Sequence, residues 1–146
     1  MDNKDIMKTQ KFNASQKEQI RYGLKENLDI SKHVGLKFNR KQMLEINLGF
    51  MDGINVLKYA DPKFNDLQMR EIRLGLMNDL DVSIYADPKF DWEQMHEIHL
   101  GLKKGLDVSK YANPEFNCEQ MNQIRLGLKE NIEEIVEERE LEDIEF

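Results

Sequence analysis

The chain has 146 residues, 34% of them charged and 40% hydrophobic, with one cysteine and a formal net charge of −7. That length suits one domain with a buried core, and a lone Cys118 cannot form an internal disulfide, which points to a reducing cytoplasm. No apolar run is long enough to span a bilayer, and Met1-Asp2-Asn3-Lys4-Asp5 lacks the basic and apolar regions of a secretion signal, so neither membrane insertion nor export is expected.

The charge is unevenly placed. Residues 130–146 hold nine acidic side chains and one basic one, a net of −8, whereas residues 1–129 hold 20 Lys/Arg and 19 Asp/Glu, a net of +1. The whole-chain value therefore describes the tail, and the body is nearly neutral.

Residues 1–11 read as a lead-in. From Phe12 a 26-residue unit recurs without insertion, with starts at Phe12, Phe38, Phe64, Phe90 and Phe116. The same period carries Gln16, Gln42, Gln68, Gln94 and Gln120, then Ile20, Ile46, Ile72, Ile98 and Ile124, then Gly23, Gly49, Gly75, Gly101 and Gly127. Four unlike columns in one register identify a repeat protein.

Each unit opens on a helix-start signature. The Phe is followed by Asn13, Asn39, Asn65, Asp91 or Asn117 as N-cap, with the Gln three residues later to complete a capping box. Met43, Met69, Met95 or Met121 (Lys17 in the first unit) then stands where it would staple onto the Phe. About 13 residues on, Asn27, Gly53, Asp79, Gly105 or Asn131 tolerates the left-handed conformation, and Leu28, Ile54, Leu80, Leu106 or Ile132 follows as the apolar residue of a Schellman ending. The remainder, clearest at Asp81–Pro88, predicts one short helical turn capped by Asp81 and carrying Val82, Tyr85 and Ala86, cut off by Pro88.

Neither helix can bury its apolar face alone, so stacked units must share a core. The expected fold is all-α, a short α-solenoid of five repeats over residues 12–132, each a long helix plus a one-turn helix. Residues 133–146 form an acidic C-terminal helix or tail, in which Ile132, Ile135 and Val136 suggest that the last helix runs on and caps the stack. The glycine column implies close backbone approach, most simply to the short helix, since glycine is costly in a helix interior.

The unit read at residues 64–88, Phe-Asn-x-x-Gln-Met-x-Glu-Ile-Arg-Leu-Gly-Leu-x-x-x-Leu-Asp-Val-Ser-x-Tyr-Ala-Asp-Pro, resembles 26-residue helical repeats of uncharacterised Firmicutes proteins, many from gut bacteria and their mobile elements. The resemblance implies a bacterial, cytoplasmic repeat protein and transfers no site residues. In outline the unit is also similar to leucine-rich variant repeats, an analogy of architecture that carries no function.

The faces that differ between repeats are the expected site. At about 100° per residue they form a strip with eight basic and two acidic residues. Its candidate partner-binding residues are Arg40, Leu44, Met51, Arg70, Arg73, Met77, Trp92, His96, His99, Lys103, Arg125 and Lys129. Aromatic, Met and Arg residues are enriched at interfaces, which favours a recognition strip over a solvated face that merely drifts. The function this implies is non-enzymatic protein binding, to an acidic or mixed partner surface. Nucleic-acid binding by the same strip is an alternative, through phosphate pairing and stacking on Trp92. Another is a mobile-element inhibitor of a host nuclease, anti-CRISPR-like, with the acidic tail blocking or imitating nucleic acid.

No catalytic constellation, cofactor motif or small-molecule site is expected. The glycines occur singly, Cys118 has no specified base, and Glu45, Glu71 and Glu97 recur as scaffold. His96 and His99 have the spacing to begin a metal site, but no third ligand is specified and no metal is expected.

Overall fold

The computed structural model describes residues 38–144. The lead-in and the first unit, including Asn13, Lys17 and Asn27, lie outside the described residues. Within them the chain is all-helical: α1 (Arg40–Met51), α2 (Asp66–Met77), α3 (Trp92–Lys103) and α4 (Cys118–Ile144), with 3-10 turns at Val56–Lys58, Val82–Ile84 and Val108–Lys110, and no strand. The chain divides into two compact units, Met1–Asp79 and Leu80–Phe146. In the first α1 packs on α2, and in the second α3 packs on α4.

The starts follow the sequence. Asn39 Oδ1 accepts from the Gln42 amide and Gln42 Oε1 accepts from the Asn39 amide, both at 2.8 Å. The pairs Asn65–Gln68, Asp91–Gln94 and Asn117–Gln120 repeat this box. In each of the first three, the Phe before the cap and the Met after the Gln are both buried, as a hydrophobic staple requires.

The Gln has a second task that ties a helix to the junction following it. Gln42 Nε2 donates to the backbone carbonyls of Phe64 (2.6 Å) and Pro62 (3.3 Å). Gln94 Nε2 does the same to Phe116 (2.7 Å) and Pro114 (3.0 Å). One side-chain amide thus satisfies a helix start and the carbonyls of the following proline turn, which would otherwise lose their water without replacement.

The stops at Gly53, Asp79 and Gly105 also follow the sequence, each with a positive φ (+55° at Asp79). Gly53 and Gly105 adopt φ of +71°, and the next amide closes onto the glycine-column carbonyl, Ile54 to Gly49 and Leu106 to Gly101, both at 2.9 Å. The predicted one-turn helix is a 3-10 turn. Asn55, Asp81 and Asp107 cap it, and Tyr59, Tyr85 and Tyr111 close it with i→i+3 bonds. An i→i+4 bond from Ala60, Ala86 or Ala112 to the same valine carbonyl follows, and an Asx turn around the proline (Asp61 to Lys63, Asp87 to Lys89, Asn113 to Glu115) then ends the segment.

Asn131 does not stop its helix. α4 runs 27 residues, Cys118–Ile144, straight through that position. The reason lies downstream, where the Val and Tyr that reward a turn back in other repeats are replaced by Glu134 and Glu137, both good helix formers. Ile132, Ile135 and Val136 remain about half exposed on this extension, so among the described residues they do not close over a neighbour.

Candidate functional site

Apart from the Arg73, His99 and Arg125 column, the strip residues sit on the outward part of their long helices, because the repeated Met, Ile, Gly and Gln positions take up the inward part. In the first unit Arg40, Leu44 and Met51 lie along α1, and Arg70, Arg73 and Met77 along α2. Arg40 and Arg70 are exposed, and Leu44, Met51 and Met77 are 50%, 59% and 49% exposed.

Arg73 differs from the others. Its side chain is only 11% exposed, with Nε donating to Glu45 Oε2 at 2.9 Å and Nη1 to Asp52 Oδ2 at 3.2 Å. Nη1 also lies 3.5 Å from the Met77 sulfur. The guanidinium therefore joins α2 to α1, and its charge is largely compensated. The same construction recurs in the second unit, where Arg125 Nε donates to Glu97 Oε2 at 2.7 Å while Asn122 Nδ2 reaches Oε1 at 3.3 Å.

In the second unit Trp92 and Lys103 are exposed, His96 is half-buried and Lys129 is exposed, 3.9 Å from Glu133. His99, expected on the strip, is buried at 6% exposure. Its ring lies 6.5 Å from Tyr85 and 6.3 Å from His96, so it is covered by aromatic neighbours and is not displayed. Arg73, Arg125 and His99 share one repeat column, and that column faces the helix packing instead of solvent. The positive asymmetry counted along the sequence is correspondingly smaller on the surface.

The repeated glutamates Glu45 and Glu97, absent from the strip, supply the partner charges. A signal for them was present: Glu45 to Arg73 and Glu97 to Arg125 share a 28-residue offset, one repeat plus two positions. The glycine column is likewise explained by packing. A Cβ at Gly49 would collide with the Tyr59 hydroxyl and with Val56 Cγ1, and one at Gly101 with the Tyr111 hydroxyl and Val108 Cγ1. Each tyrosine donates to a helix carbonyl, Tyr59 to Glu45 and Tyr111 to Glu97, at 2.7 Å. Burial pushes both hydroxyls up, Tyr111 to about 12.

Cys118 donates its thiol to Glu93 Oε2 at 3.3 Å, and that hydrogen bond to a carboxylate is the main cause of its raised pKa. A thiol held protonated is a poor nucleophile at neutral pH. It lines a shallow open depression with Glu97, Asn117, Glu119, Gln120 and Asn122, a wall of carboxylates and amides. Among the described residues no three His, Cys, Asp or Glu side chains converge to hold a metal, and no helix is long and apolar enough to cross a membrane.

Comparison with protein-family models, curated proteins and solved structures finds no significant match to this chain.

Proposed function

We propose that the chain is a non-enzymatic protein-binding module of five 26-residue helical repeats, which takes an acidic or mixed partner surface on the exposed members of its variable helix faces. The observation that carries this reading is the set Leu44, Met51 and Met77, half exposed on neighbouring helices beside Arg40 and Arg70. Large apolar side chains held in water on one surface leave a hydrophobic gain that a partner can collect. Methionine adapts its shape to such a partner, and the Arg73–Glu45–Asp52 bridges hold the backbone beneath it in one arrangement. In the second unit, Trp92 and Lys103 are exposed on α3 with similar chemistry.

Nucleic-acid binding has less support than the residue count gave it. Phosphate contacts need free cations, and two of the strip's arginines already carry carboxylate partners.

The test is capture from nuclease-treated lysate of the source cell with wild type, Met51→Glu/Arg70→Glu and Trp92→Ala, followed by reconstitution with the purified captured protein. The reading requires a nuclease-resistant complex whose affinity falls about tenfold or more in either variant, the equivalent of ~1.4 kcal/mol. A complex that neither variant weakens, or one that nuclease releases, sinks it.

A further inference from the structure

The last helix carries a receiving surface that the described residues leave empty. In α1 and α3 one face accepts the junction that follows. Gln42 and Gln94 hold the Pro-x-Phe carbonyls, Gly49 and Gly101 admit the tyrosine and valine, and the carbonyls of Glu45 and Glu97 accept the tyrosine hydroxyls. On both helices this face is buried.

α4 repeats the same residues in the same register: Gln120, Gln123 in the place of Glu97, and Gly127. Here Gln120, Gln123, Leu126 and Gly127 are exposed, and a Cβ built on Gly127 would meet nothing within 4 Å. Gln120 still completes its capping box through Oε1, at 2.9 Å from the Asn117 amide, as Gln42 and Gln94 do. Its side-chain amide is thereby held in the orientation that reaches a junction elsewhere. End repeats of solenoids ordinarily present a polar outer face. That change is made only beyond Gly127, by Glu130, Glu134 and Glu137. Glycine is the poorest helix former after proline, and in an exposed stretch of α4 it supports no packing among the described residues.

We propose that this face of α4 docks, in trans, a partner segment with the junction chemistry Val-x-x-Tyr-Ala-x-Pro-x-Phe. The tyrosine ring would lie over Gly127 and its hydroxyl would donate to the Gln123 carbonyl. The carbonyls around the Pro-x-Phe turn would accept from Gln120 Nε2. The segment enters from the valine onward, because α4 continues where Leu106 closes the end of α3, and the nearby Glu130 and Glu134 favour a positive charge at its leading end. This surface is separate from the strip, so the two stand or fall independently.

The probe is a peptide of residues 108–117 (Val-Ser-Lys-Tyr-Ala-Asn-Pro-Glu-Phe-Asn) with a free N-terminus and a C-terminal fluorophore, titrated with the full chain by anisotropy. Saturable binding is expected, weakened about three- to tenfold by Tyr111→Phe within the peptide, the loss of one hydrogen bond. Gly127→Leu in the protein fills the slot and weakens binding at least tenfold, with helix content by circular dichroism unchanged. The proposal is overturned by absent binding at millimolar protein, by equal binding of a scrambled peptide, or by a Gly127→Leu protein that binds as wild type does. Self-association that disappears on deleting residues 1–11 would assign the face to a second copy and also overturn it.

Discussion

Arg73 and Glu45 stand 28 residues apart in sequence, and Arg73 Nε donates to Glu45 Oε2 at 2.9 Å. Both side chains are nearly buried, at 11% and 13% exposure. Arg125 and Glu97 repeat the relationship at 2.7 Å in the second unit. A bond that crosses from one long helix to the next at a fixed offset sets the stacking register, and it turns two apparent recognition residues into parts of the frame.

Removing one partner of such a bridge should therefore cost more than a surface pair would. Arg73→Met or Arg125→Met leaves a carboxylate with little water, and the expected loss is about 1–2 kcal/mol, between the values for exposed and fully buried pairs. Urea denaturation measures it, and a double-mutant cycle with Glu45→Gln should show that most of the loss is shared between the two residues. A change of under about 0.3 kcal/mol, typical of a surface site, would mean the bridge contributes nothing to register.

Two glycines of one column should respond with opposite sign. Gly101→Ala pushes a methyl group into the Tyr111 hydroxyl and Val108, and destabilisation of about 1–3 kcal/mol is expected from overpacking. Gly127→Ala meets no neighbour and should stabilise by about 1 kcal/mol through helix propensity. Thermal unfolding of the two variants side by side checks the difference.

The tyrosine column predicts sensitivity to alkali. Burial, the largest cause, raises the Tyr111 hydroxyl from 10.0 to about 12. The folded chain therefore keeps a proton that the unfolded chain releases. Stability from this group is fully present below pH 10 and lost progressively as pH rises towards 12. Tyr111→Phe should reduce that loss, at the cost of about 0.5–1.5 kcal/mol near neutral pH for the missing hydrogen bond to Glu97. Ionisation is followed by tyrosinate absorbance, and stability by denaturant titration at several pH values.

Cys118 offers a kinetic test. Its hydrogen bond to Glu93 raises the thiol pKa, so Glu93→Gln should lower it and increase the thiolate fraction near pH 8. Alkylation by iodoacetamide should accelerate in the variant and show a pH midpoint below that of wild type. Identical rate profiles would show that the carboxylate does not govern the thiol.

Among the described residues most local signals were legible in the sequence, the stop at Asn131 excepted. Asn39 with Gln42, Gly53 with Ile54, and Asp81 before Val82 each set a cap or a stop through backbone groups a few residues away, and a fixed period repeats them. The class of fold followed, because a 12-residue helix and a single turn have no core except a shared one. Tertiary structure decided which residues at the edge of each helix face meet water. Residues two positions apart in the repeat, such as Glu45 and Asn47, lie about 160–200° apart on an isolated helix, yet the next helix lies across the boundary between them. Arg73, Arg125 and His99 look displayed by angle, but neighbouring side chains cover them. Asn131 looks like a stop by type, but the helical spacing of Ile132, Ile135 and Val136 already pointed to a helix that runs on, and α4 does so to Ile144. The sequence contains the local hydrogen-bond grammar, whereas coverage depends on what packs against each face, a non-local quantity that appears only when the helices are brought together.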